Sequence, residues 1–124
     1  MIRLYETNDY ESMKGWYEKR GHPVPHGTFL PPVGYIEPGV AAGFLVACDN
    51  YVGIFDFYIS NPDAAKELRT KAFDDITKRL FEYAEYLKIK VLKADTQIPV
   101  IKDLCRKFNF KYVGEFSTFT REIK

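Results

Sequence analysis

Metal-ligating and redox side chains are scarce in this sequence. There are two histidines, two cysteines and one tryptophan. His22 and His26 are separated by prolines that keep them off one helical face, and no further ligands stand nearby, so no metal site is expected. Cys48 and Cys105 lack metal-type spacing. Set in apolar surroundings, they read as reduced, buried thiols, which points to a cytoplasmic setting. Net charge is also lacking: 18 basic against 17 acidic residues leaves +1. No overall field draws the chain to nucleic acid or an anionic membrane. The first residues have no apolar signal core, and no apolar run approaches the ~20 residues of a membrane span. P-loop, dinucleotide-fold glycine, zinc and nucleophile-elbow patterns are all missing, which removes the commonest enzyme classes.

What is present is apolar and aromatic. Hydrophobic residues make up 46% of the 124 and aromatics 16%, enough for one independent core, so residues 1–124 read as one domain. Ile2–Glu6 alternates as a strand. Asn8 and Glu11 make a capping-box pattern, opening a helix with Met13, Trp16 and Tyr17 on one stripe and Gly21 at its end. His22–Pro32 carries four prolines and a glycine and reads as a semi-rigid loop. Val33–Glu37, Val40–Cys48 and Tyr51–Ser60 read as an antiparallel meander of strands, the second apolar on both faces and turning at Asp49-Asn50. A long amphipathic helix running to Lys88 presents Leu68, Ala72, Phe73, Ile76, Leu80, Phe81, Ala84 and Leu87 on its apolar face. Ile89–Ala94 is a strand, Pro99–Phe108 a short helix, and Phe110–Glu115 and Phe116–Ile123 closing strands. The order is β-α-β-β-β-α-β-α-β-β, an α/β fold with a mixed, partly parallel sheet.

Three segments resemble the GNAT (GCN5-related N-acetyltransferase) superfamily, and the resemblance covers nearly the whole chain. Asp103–Glu115 looks like the family's last helix and following strand: Leu104, Phe110 and Gly114 match, Cys105 stands where the family usually has Tyr, and Asn109 where it has Gly. Asn tolerates the left-handed backbone such a position needs. Tyr51–Pro62 resembles the central strand that splays from its neighbour, with Ser60-Asn61-Pro62-Asp63 at its end. Arg69–Asp74 is similar to the glycine-rich turn before the long helix, with Ala72 and Asp74 in place of small residues. Proline-rich loops followed by such strands also resemble a bacteriophage-encoded branch of GNAT-like proteins, placing the chain in a host bacterial cytoplasm.

The resemblance implies acyl transfer from acyl-CoA, with acetyl-CoA the favoured co-substrate, to a primary amine on a small molecule, a protein or a modified nucleobase. It implies pantetheine pairing along the splayed strand by main-chain groups, and pyrophosphate binding at a helix N-terminus. Phe57, Ile59, Ser60, Asn61, Lys66, Arg69, Thr70, Lys71 and Ala72 are the expected cofactor-binding residues. Asp56, Tyr58 and Cys105 are the catalytic candidates, the first two expected on one face of their strand. The alternative is a degenerate GNAT-fold binding or virion-associated protein. The aromatic-rich last strand is compatible with pairing across a homodimer. For the long helix two starts compete: at Pro62 from capping chemistry, or near Arg69 with Asp63–Leu68 as loop, which the apolar pattern favours.

Overall fold

The computed structural model describes residues 1–48, 51–96, 98–114, 119, 121 and 123. Five strands form one sheet in sequence order: β1 (Arg3–Leu4), β2 (Val33–Glu37), β3 (Ala41–Ala47), β4 (Val52–Ser60) and β5 (Val91–Ala94). The first four are antiparallel; β5 joins β4 in parallel. That pairing needs a crossover, and α2 (Lys66–Tyr86) supplies it. α1 (Tyr10–Lys19) lies on the other face, and α3 (Pro99–Lys107) follows β5.

The apolar patterns become two packed layers. Ala41, Leu45, Phe55, Phe73, Ile76 and Leu80 join sheet to α2. Met13, Trp16, Ile36, Ala42, Phe44 and Ile59 join sheet to α1. β3 is buried on both faces because each is covered by a helix, as its unbroken apolar run requires. Each large aliphatic side chain buried this way contributes about 1.5–3 kcal/mol. Phe44 lies over Gly34 of β2, where an added Cβ would stand 2.3 Å from its ring. The residue at 34 must therefore lack a side chain.

Several expectations need correction. Asp9 stands at the N-cap of α1 but its carboxylate does not cap that helix; it closes a capping box with Glu6 over the 3-10 turn Thr7–Asp9, accepting the Glu6 N–H at 2.8 Å and the two terminal guanidinium nitrogens of Arg3. α2 begins at Lys66, between the two competing starts. Asn61 does not open a helix because its side chain is used otherwise: Nδ2 donates to the Gly39 carbonyl and Oδ1 accepts the Asp63 N–H, forming a turn tied to the β2–β3 connection. Leu68, expected on the apolar face, is 55% exposed. α2 ends at Tyr86, with Lys88 left-handed at φ 61° beyond it. Cys48, expected buried, lies past the end of β3 and is exposed. Phe110–Gly114 follows a left-handed Asn109 (φ 65°) and has no strand partner among the described residues. The turn Asp49-Asn50, Glu115 and most of the expected strand Phe116–Ile123 lie outside the described residues.

Candidate active site

β4 and β5 stay together for only four rungs, from Val52 opposite Val91 to Phe55 opposite Ala94. Beyond Phe55, β4 continues to Ser60 while the chain after β5 turns away through Asp95 and Thr96 into α3. Among the described residues, Asp56–Ser60 therefore has no partner strand on that side. On its other side the register with β3 shifts between Ala42 and Phe44, and Phe57 takes φ 55°. This is a β-bulge, which bends the strand and re-aims its side chains. A left-handed non-glycine residue is uncommon; here the Asp56 carboxylate steadies it by accepting the Phe57 N–H at 2.8 Å.

The bulge corrects the expected facing of Asp56 and Tyr58. Phe55 and Tyr58 pack with the α2 layer, whereas Phe57 and Ile59 pack with the α1 layer. The period of two is broken, and Asp56 and Tyr58 serve opposite sides of the strand. Asp56 is felt by Tyr17 of α1, whose hydroxyl pKa is raised by burial first and by Asp56 second.

A cavity of about 440 Å³ fills the opening. β4 from Phe55 to Ile59 makes one wall, and Ile101, Leu104, Cys105 and Phe108 of α3 the other. His22–Pro25 and Tyr17 close it on the α1 side, and Thr77 contributes from α2. Asp56 keeps solvent access at the mouth, yet the concave apolar wall desolvates it enough to raise its carboxyl above the usual range. The Phe57 N–H opposes that rise, and Asp95 adds to it. Burial raises the half-buried Cys105 thiol, with Arg106 pulling the other way. Tyr58 is held protonated by burial, and its hydroxyl lies 2.9 Å from Thr77 Oγ1.

The other candidates divide into exposed and engaged groups. Ser60 is buried; Arg20 donates from Nε to its carbonyl at 2.8 Å and from Nη2 to its hydroxyl at 2.7 Å. Asn61 is occupied in its turn. Lys66 and Thr70 are exposed on α2, and Lys71 pairs with Asp75 at 2.8 Å. Ala72, expected beside the pyrophosphate, is buried against the sheet, because the earlier helix start carries it past the first turn. Asp74 pairs with Lys107 of α3. Arg69 is half-buried, with its Nε unpartnered among the described residues. His22 reaches the cavity, while His26 instead accepts the Thr28 N–H at 3.2 Å.

Thr77 and Asp95 are polar cavity residues that the sequence reading missed. Thr77 is 2% exposed within the apolar face of α2, and a hydroxyl inside such a stripe was the available signal. Asp95 carried only its position at the end of β5. Among the described residues no three potential ligands gather as a metal site, and no helix is long and apolar enough to cross a membrane.

No protein-family model matches the sequence, and no curated protein matches it significantly. Solved structures do match in fold. An acetyltransferase of Trypanosoma brucei superposes with a TM-score of 0.68 at 12% identity, covering 98% of this chain and 99% of its own. An N-acetyltransferase of Staphylococcus aureus Mu50 gives 0.67 at 16%, over 92% and 84%. An aminoglycoside N-acetyltransferase in complex with CoA gives 0.65 at 14%, over 99% and 95%. With a mixed five-stranded sheet between α1 and α2, and with β4 leaving β5 midway, this chain has the fold of the GNAT-type acetyltransferases.

Proposed function

We propose that the chain transfers an acetyl group from acetyl-CoA to a primary amine. The observation that carries this reading is the divergence of β4 from β5 after Phe55, with a cavity of about 440 Å³ in the opening. Peptide groups on the free edge of Phe57–Ile59 suit the amides of a pantetheine arm, as an added strand would. Acetyl-CoA supplies a thioester carbonyl.

The fit for the anionic end rests on α2. Its N-cap is Ala65, which has no side-chain acceptor, and the first intrahelical bond is made by Arg69 N–H to the Ala65 carbonyl. The N–H groups of Lys66, Glu67 and Leu68 are thus left for an external acceptor. Arg69, with its orphaned Nε, stands one turn further on. Glu67 opposes an anion there, and Lys66 offsets it. Lys71 is engaged by Asp75, so Arg69 is assigned the larger share of affinity. Arg69→Ala is expected to weaken CoA binding about 10-fold or more in calorimetry, the size of a lost charge-assisted hydrogen bond. Lys71→Ala should change it less than threefold. Wild-type protein that binds neither CoA nor acetyl-CoA would remove the reading.

In this reading Asp56 is the base that would receive the amine proton, from the α1 side of β4. The non-catalytic reading is favoured by one observation: Cys105 occupies the α3 position at which the resembled family carries Tyr. CoA binding without turnover against any amine would select that reading.

A further inference from the structure

Tyr58 occupies a seat built for it. Its ring lies over Gly43, where an added Cβ would come within 2.7 Å of Cε1. Phe73 flanks it at 5.6 Å and Phe55 at 6.2 Å between ring centroids. Its hydroxyl meets Thr77 Oγ1 at 2.9 Å, and among the described residues neither hydroxyl has another hydrogen-bond partner. Thr77 is buried in the otherwise apolar face of α2. Both residues line the cavity, and Cys105 lines it from the α3 wall.

A hydroxyl in a packed apolar face costs desolvation unless it is used. Two hydroxyls that satisfy only each other still leave one hydrogen uncommitted. When Thr77 donates to Tyr58 Oη, the phenolic hydrogen is free to point into the cavity. The bond from Thr77 also opposes the burial that holds the phenol protonated.

We propose that Tyr58, seated over Gly43 and oriented by Thr77, gives the proton to the departing CoA thiolate from the β4 wall, leaving Cys105 as an apolar wall residue. The inference rests on the acetyl-transfer reading. The acceptor nitrogen bonds to the thioester carbonyl carbon and releases one proton to Asp56. The carbon–sulfur bond breaks with its electron pair on sulfur, sulfur takes the phenolic proton, and the tyrosinate regains one from solvent. Tyr58 is then a catalytic residue, and Thr77 a positioning residue acting through it.

The test uses the whole chain with acetyl-CoA and a panel of primary amines (lysine, spermidine, kanamycin), following released thiol. Tyr58→Phe should lower kcat about 100-fold with the acetyl-CoA KM within about threefold. Thr77→Val should lower kcat about 10-fold, Thr77→Ser should restore it, and Thr77→Val should add nothing in the Tyr58→Phe background. Cys105→Ala should lower kcat much less than Tyr58→Phe does. Independently of activity, the carbon-13 resonance of the Tyr58 Cζ should move on adding CoA but not on adding CoA lacking its sulfur. Wild-type turnover with Tyr58→Phe unchanged, or an identical response to the two forms of CoA, overturns the inference while leaving the acetyl-transfer reading in place. Wild-type protein that binds CoA without turnover, or binds none, removes the reading and the inference together. Thermal melts check that each variant is folded.

Discussion

Asp56→Asn is expected to lower kcat about 1,000-fold, within the range for a positioned base, with CoA affinity unchanged in calorimetry. A base acts only as carboxylate, so in the proposed role the pKa of Asp56 would set the acid limb of the rate profile. Desolvation raises that pKa, the Phe57 N–H partly offsets the rise, and Asp95 pushes it further up. Activity should therefore fall, on acidification, at a higher pH than an ordinary aspartate would give. Asp95→Asn removes the like charge and should move the limb to lower pH. An unchanged limb in Asp95→Asn, or an Asp56→Asn enzyme within threefold of wild type, would take the base assignment away from Asp56.

The second large effect is on stability. Phe44 is fully buried, edge-on to Tyr5 at 4.9 Å and to Phe57 at 6.2 Å. Phe44→Ala should cost about 3–5 kcal/mol in urea unfolding, combining lost burial with a cavity. Gly34→Ala alone should cost about 1–3 kcal/mol, because the new methyl meets the Phe44 ring. In the double variant the methyl enters the emptied space, so the double variant should cost less than the sum of the two single variants. Strict additivity would mean that the ring does not rest on Gly34.

Much of the frame was legible because it follows from periodicity. The β2–β3–β4 meander, the two-faced β3 run and the α2 stripe are direct readings of apolar spacing. The cleft was legible at lower resolution. Tyr51–Ser60 reads as one smooth strand, and nothing in Asp-Phe-Tyr announces a left-handed residue at Phe57. A period of two then put Asp56 and Tyr58 on one face, where a bulge has separated them. Capping chemistry failed at Asn61 for a related reason. Its acceptor was claimed by the next turn and its donor by the Gly39 carbonyl, a partner 22 residues away in sequence that local rules do not see. Asn109 succeeded because its requirement is local: a left-handed backbone after α3.

The kink at Phe57 has a consequence for proton traffic. With Asp56 and Tyr58 serving opposite sides of β4, the strand itself stands between the proposed proton acceptor and the proposed proton donor. Asp56 is exposed to solvent, and both residues line the same cavity. The two ionisations should then be tunable one at a time, so that changes around Tyr58 leave the acid limb of the rate profile where Asp56 sets it.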